Sequence, residues 1–383
     1  MKIIYILHHS QLNYQKEIRC YSEDWHVRVA EQIRKRSSEY EIECWRPEIR
    51  LKELQSGQRD GITFKIFPSM KLGAGMEVSP LMMKTLKEYA KQSDILIHLH
   101  GVHYFLPWSI MNKFKTLPIV GQQHGDASSM SRYDISKSPF RIFYKIQHLY
   151  ESNALKNVDH FFVLTPFEKD DLYRNFGIEN AEIQTMGVDF TIFAPIEQKT
   201  ARSLLGLPQD KKIILYVGRF FENKGIPYLI NACQELKERY GIKLLLVGGD
   251  QSDPYYGAAK LSGADLIERI PGNQIVPYYS AADVSFIYMK SNQWGGVGIA
   301  PIESLACNTP LVSNTLSHVP SEERHLLGEI PQDENDISRC ITKIFENRDH
   351  YNRCREIAEK YYSWDRIIEH TLEVYKKLNE TYY

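Results

Sequence analysis

No apolar stretch in the 383 residues approaches the roughly 18–20 needed to span a bilayer. The opening residues, MKIIYILHHSQLNYQKEIRC, begin with one lysine and a short apolar run but lack a small-residue cleavage site. That run therefore reads as a first strand and not as a signal peptide. Six cysteines (Cys20, Cys44, Cys233, Cys307, Cys340 and Cys354) are scattered without a CxxC pair or short Cys/His spacing. A disulfide framework and a zinc site are both disfavoured, and a reducing cytoplasm is the expected compartment. A formal net charge of −1 gives no whole-molecule reason to expect nucleic acid. KIIYILHHSQL lacks the G-x-G-x-x-G turn that a nicotinamide-dependent oxidoreductase would want after its first strand.

What is present is a long alternation of short β-rich runs and helical patterns. Lys2–Leu7, Glu41–Trp45, Asp94–His100, Pro118–His124 and Asp159–Thr165 read as strands of a first half. Lys211–Gly218, Lys243–Gly249, Asp283–Tyr288 and Pro310–Asn314 read as strands of a second. Between them, Asp24 is placed to cap a helix carrying Trp25, Val29 and Ile33 at i, i+4 and i+8, and Ser79 to open another. Apolar runs alternating with helices imply parallel sheets covered on both faces. A chain of this length also exceeds what one core of about 250–300 residues holds. The expected architecture is α/β, with two facing Rossmann-like domains and an interdomain cleft at the carboxyl ends of their strands. The join is expected between Phe193 and Lys212, giving domains of 1–195 and 196–362.

The second half carries the stronger chemistry. In LYVGRFFENKG a strand ends at Gly218, and Arg219 and Lys224 follow before a helix, an arrangement suited to phosphate. GGVGIAPIESLACNTPLV adds an approach poor in side chains: Pro301 suits a first helical turn, and Gly298, Ile299 and Ala300 would offer amides at its positive end. Glu303 is expected in that first turn, where its charge is favourable in a purely structural reading and where it could also accept two hydrogen bonds from a ribose diol. Phosphate on amides and cations with ribose on the acid describes a nucleotide diphosphate. Asn308, after the helix, reads as a left-handed cap.

These segments resemble the retaining glycosyltransferases of family four, which have the GT-B fold. LYVGRFFENKG, VPYYSAADVSFIY, GGVGIAPIESLACNTPLV, TMGVDFTIFAP and YSWDRIIEHTLEVYKKL each match a family segment, from about Val158 onward. The resemblance implies that Arg219 and Lys224 hold a donor diphosphate and act in catalysis, and that Glu303 binds its ribose. Gly218, Val276, Trp294, Gly295 and Gly296 fall in the matched segments and are taken with Gly298, Ile299 and Ala300 as substrate-binding. It also implies that 363–383 is a helix crossing back to the first domain. One departure stands out: Gly295 occupies the position where the family has a second glutamate. Two readings follow, an enzyme with a changed sugar site or a non-catalytic nucleotide-sugar or glycan-binding protein. No Asp-X-Asp pair stands at a matching strand end, which fits metal independence, and no cofactor is called for.

The first half is less marked. GQQHGD resembles the family's strand followed by His-Gly, which implies that His124 lies near the transferred sugar, where it would be catalytic. His8 and His9 are weaker candidates at the head of a long connection, and His100 and His103 read as core residues. KSPFRIFYKIQHLY, Lys137 to Tyr150, reads first as an ordinary amphipathic helix and second as a basic, aromatic surface resting on anionic lipid at the inner face of a membrane. The partners implied are a nucleotide-diphosphate sugar and a sugar or lipid-linked acceptor.

Overall fold

The computed structural model describes residues 1–8, 25–73, 76–92, 94–290, 298–316 and 319–383. They divide into two compact units, one of Met1–Gln184 with Ile368–Tyr383 and one of Thr185–Ile367.

The first unit is built on β1 (Lys2–Leu7), β2 (Glu41–Glu48), β3 (Gln55–Arg59), β4 (Ile62–Pro68), β5 (Met70–Gly73), β6 (Met76–Val78), β7 (Ile95–His100), β8 (Ile119–Gln122), β9 (His160–Val163) and β10 (Ala181–Ile183). Eight of these form one sheet in the order β10-β9-β8-β7-β1-β2-β4-β3, and β5 and β6 pair separately. All neighbours in the large sheet run parallel except β3 and β4, an antiparallel hairpin at the edge. The turn is Asp60-Gly61 with φ of 50° and 75°, the double positive φ of a type I′ turn. The parallel strands are apolar because both faces are covered: Ile4, Ile6, Ile95, Ile97 and Leu99 are fully buried. Val29 and Ile33 of the helix Trp25–Arg36 are buried as expected, and Ser79 caps Pro80–Tyr89 through the Met82 amide at 3.4 Å. Asp24 lies outside the described residues.

The C-terminal helix Trp364–Tyr382 returns to this unit. Its Tyr375 is fully buried and its hydroxyl lies 2.8 Å from that of Tyr5 and also bonds His98. Tyr382 donates to Asp159 at 2.8 Å.

The second unit holds β11 (Ile213–Val217), β12 (Lys243–Val247), β13 (Asp265–Ile267), β14 (Val284–Ile287), β15 (Leu311–Ser313) and β16 (Gly328–Glu329). They form an all-parallel sheet, β13-β12-β11-β14-β15-β16. From β11 the chain winds out to β13, then crosses back to β14 on the other side. The change of direction between β11 and β14 is the switch point where such sheets bind ligands. In the first unit the corresponding point lies between β1 and β7. Val188, Phe190 and Phe193 belong to the core of the second unit, where Arg355 donates to the Phe190 and Phe193 carbonyls, both at 2.7 Å.

Among the described residues the cysteines are buried and unbridged. No helix there is long and apolar enough to cross a membrane.

Candidate functional site

In the second unit the loop after β11 and the helix Ile299–Ala306 that follows β14 flank the switch point. Gly218 ends β11 and donates its amide to the Val247 carbonyl at 2.9 Å. The loop then bends back at Gly225, whose φ is 80° and where an added Cβ would meet the Tyr288 carbonyl oxygen at 2.7 Å. Only glycine lets the helix Ile226–Tyr240 start this close to the segment after β14.

Arg219 and Lys224 stand on this loop in opposite circumstances. The Arg219 Nε donates to Asp253 Oδ1 at 2.6 Å, while the other oxygen of Asp253 accepts the amides of Phe220 at 3.0 Å and Asp250 at 3.2 Å. Burial pushes the Asp253 carboxyl up, but Arg219 and the two amides hold it below the usual carboxylate range. The guanidinium is thus fixed in direction, with its side chain 45% exposed beyond the pair. Asp253 was not among the expected site residues, although it follows Gly248 and Gly249 at the end of β12, a strand end of the same kind. Lys224 is half-buried, and among the described residues it makes no hydrogen bond or ion pair through its ammonium. Burial alone lowers its pKa. A partly desolvated cation with no carboxylate beside it is suited to an anion from solution.

The helix Ile299–Ala306 begins at the opposite side of the switch point. Pro301 is its third residue, within the first turn as expected, but Glu303 is its fifth and stands beyond that turn. The helix dipole therefore supports Glu303 less than a first-turn position would. What fixes Glu303 is Tyr279, whose hydroxyl donates to Oε2 at 2.9 Å. Burial first, and then the Glu303 charge, raise the Tyr279 pKa well above its ordinary value, so it remains a donor. Gly298 precedes the helix, and among the described residues it has no side-chain cap and a Cβ there would meet only Pro301 Cδ at 4.0 Å. The amides of Ile299 and Ala300 have no acceptor among the described residues. Ala300 and Pro301 share a 10 Å³ gap with Val217 of β11 and Ile287 of β14, which joins the helix start to both strand ends.

Val276 differs from the others. Its side chain is 7% exposed in the core, and its amide is taken by the Asn273 carbonyl. Asn308 has φ of 58°, the expected left-handed cap; its Oδ1 accepts the Arg355 amide at 3.1 Å, a structural role. Trp294, Gly295 and Gly296 lie outside the described residues.

The first unit gathers histidines at its own switch point. His8 follows β1 and its Nδ1 lies 2.7 Å from the His100 carbonyl oxygen; it packs so closely that a Cβ on Gly101, φ 84°, would meet it at 2.0 Å. His100 Nδ1 lies 2.9 Å from His124 Nε2, and the two rings stack at 5.1 Å. His98 stacks on His100 at 4.6 Å, and the His26 ring lies 6.0 Å from it. Burial is the first cause in every case: His8 and His124 fall to about 4, His26 and His98 to about 3. At neutral pH these rings are uncharged. They can donate or accept one hydrogen bond per nitrogen but offer no fixed positive charge.

Two carboxylates brace the loop that carries His124. Glu168 forms a capping box with Thr165 and accepts the Gly125 amide at 2.9 Å. Burial raises its pKa to about 7 against the pull of the Leu164 and Gly125 amides. Glu151 bonds His103 at 2.6 Å, and the opposite nitrogen of His103 lies against Gln123 at 2.5 Å. His103 is thus a buried structural residue, as expected, while His9 lies outside the described residues. Glu168 and Glu151 escaped the sequence reading because they sit on helices far along the chain, with no motif joining them to His124.

Comparison with known proteins places both units. Residues 197–361 match the model of glycosyl transferases group 1, and residues 26–191 that of glycosyltransferase family 4. An uncharacterized glycosyltransferase of Methanocaldococcus jannaschii is 29% identical over 202 residues, 49% of this chain and 51% of that protein. A D-inositol 3-phosphate glycosyltransferase of Mycolicibacterium smegmatis is 27% identical over 248 residues, 61% of this chain and 56% of that one. The matches thus span little more than half the length of these relatives. Among solved structures, sucrose-phosphate synthase from Thermosynechococcus elongatus superposes with a TM-score of 0.73 at 20% identity, covering 99% of both chains. HepE of Anabaena in complex with UDP gives 0.71 at 14% identity, over 98% of this chain and 100% of that one. The chain belongs to the family-four glycosyltransferases and has the α/β GT-B fold of two Rossmann-like units.

Proposed function

We propose that the protein transfers a sugar from a nucleotide-diphosphate donor to an acceptor hydroxyl with retention of anomeric configuration. The observation that carries this reading is Lys224: a half-buried ammonium without an anionic partner among the described residues, on the loop after β11, whose Val217 shares a gap with the start of the helix Ile299–Ala306. Arg219, aimed by Asp253, supplies the second charge. Together they meet the negative charge that builds on the bridging oxygen as the nucleotide diphosphate departs, the role of preorganised electrostatic stabilisation. Ile299 and Ala300 donate to the same phosphates, and Glu303, steadied by Tyr279, accepts from the ribose diol.

With no protein nucleophile in view, attack comes from the face of the leaving group, assisted by its own phosphate oxygen. Two protein cations and a helix start make a divalent metal dispensable. In the first unit His124 is the sugar's hydrogen-bonding partner, as the resemblance implies. Its neutral ring fits contact with a hydroxyl better than contact with a phosphate. Because the HepE structures carry UDP and UDP-glucose, a uridine diphosphate hexose is the first donor to test. The acceptor is a sugar or lipid-linked hydroxyl.

The test is donor hydrolysis and transfer by the purified protein across a panel of nucleotide sugars. Donor consumption lost on Lys224→Ala supports the reading. Donor binding without any consumption supports instead the non-catalytic reading that Gly295 keeps open.

A further inference from the structure

The helix Ile142–Leu155 is inside out. A surface helix ordinarily turns its apolar stripe to the core and its polar residues to water. Here Ile142, Phe143, Ile146, Leu149 and Tyr150 are 52, 55, 59, 72 and 40% exposed. At 100° per residue they fall within one continuous arc, about a third of the helix circumference. The face turned inward carries Glu151, fully buried and bonded to His103 and Ser129, with Ala154 and Leu155. The expectation of an ordinary amphipathic helix is therefore overturned: Glu151, Ala154 and Leu155 anchor it at one end, and its large apolar residues from Ile142 to Tyr150 face outward.

The edge of this arc is basic. Lys137, Arg141 and Lys145 are exposed, and Arg141 and Lys145 lie over the Tyr133 ring at 4.8 and 4.5 Å. Residues 129–150 contain four Lys or Arg and one acid, Asp134. Contiguous exposed apolar side chains mark an interaction surface, and the charge decides for what. A second copy of the chain is disfavoured, because a two-fold contact would set the same cations against each other. An apolar stripe flanked by cations instead matches the interface of an anionic bilayer, with the side chains among acyl chains and the cations at the headgroups.

We infer that this face docks the first unit on anionic lipid. The docking goes beyond the transfer reaction and needs no nucleotide sugar. The full chain is sedimented with vesicles of phosphatidylcholine alone and with equal parts of phosphatidylglycerol. Binding on the order of 100-fold tighter to the anionic vesicles is expected, since each of three cations near the surface contributes about fivefold. It should weaken with salt. Arg141→Gln with Lys145→Gln should cost roughly 25-fold on the same basis, and Ile146→Glu with Leu149→Glu should abolish binding. Neither pair should lower the thermal midpoint, because these side chains face water. The proposal is overturned if the wild type ignores anionic vesicles, if either double variant binds them as well as the wild type, or if the face instead forms a dimer that Ile146→Glu with Leu149→Glu disperses. Donor binding, measured without vesicles, reports separately on the transfer reaction.

Discussion

The two units share a fold and differ in how they furnish its switch point. The second puts charge on loops: Arg219 and Lys224 after β11, Asp253 after β12, and Glu303 on the helix that follows β14. The first puts neutral rings at strand ends and in the core, His8 after β1, His98 and His100 on β7, His124 after β8. Charge at a strand end is a means of holding phosphate, while uncharged imidazoles suit hydroxyl groups. Within one fold, a specialisation of the halves for donor and acceptor would be written in electrostatics and not in topology.

Breaking the second unit's charge should give the largest effect. Arg219→Ala and Lys224→Ala are each expected to cut turnover by roughly 10²–10³-fold, the scale of one lost preorganised donor. Their stabilities should part. Arg219→Ala leaves the buried Asp253 carboxylate to its two amides and should cost about 1–3 kcal/mol. Lys224→Ala removes a desolvated charge that has no partner among the described residues and should leave unfolding unchanged. Denaturant titration of both variants beside the turnover assay checks this. Two variants of equal stability would contradict the contrast.

The first unit should show its histidines as acid lability. A histidine whose folded pKa lies below the unfolded value of about 6.5 stabilises the fold fully above that pH. The unfolded chain binds the proton first, so stability falls as pH drops from 6.5, down to about 4 for His8 and His124 and about 3 for His26 and His98. Each contributes a slope of up to about 1.4 kcal/mol per pH unit in its window. His26→Phe should flatten the slope of unfolding free energy between pH 6.5 and 4. An unchanged slope would mean that His26 is not held neutral.

A smaller effect sharpens the donor site. Glu303→Gln keeps the shape and the Tyr279 contact but loses the charge, and hydrogen bonds to a charged group contribute about 1.5–3 kcal/mol. Donor affinity should fall roughly tenfold or more, and markedly less for a 2′-deoxyribose donor. Equal losses on the two donors would reduce Glu303 to a structural partner of Tyr279. The smallest expected effect is none: turnover should survive exhaustive chelation, and strict dependence on magnesium or manganese would defeat the charge assignment.

The contrast also explains what could be read in advance. The strands of both sheets announced themselves because buried parallel strands are apolar runs, and β1, β7, β11 and β12 lie where those runs do. The edge hairpin β3–β4 did not, since all five residues of QSGQR are exposed and carry no alternation; its only signal was Asp60-Gly61. Arg219, Lys224 and Glu303 were legible because charges beside glycines at strand ends are conspicuous. Asp253, Tyr279, Glu151 and Glu168 were not, because each acts through a partner 24 to 48 positions away along the chain. The inverted helix was misread for the same reason: the pattern shows that one face is apolar but not which face the fold buries.

The central claim, that Lys224 waits for the diphosphate of a nucleotide, is tested most directly by calorimetry with uridine diphosphate and uridine on the wild type and on Lys224→Ala. The wild type should bind the diphosphate much more tightly than the nucleoside. The variant should lose about tenfold or more for the diphosphate, the value of one charge-assisted contact, and almost nothing for uridine. Equal affinity of wild type and variant for uridine diphosphate would contradict the account.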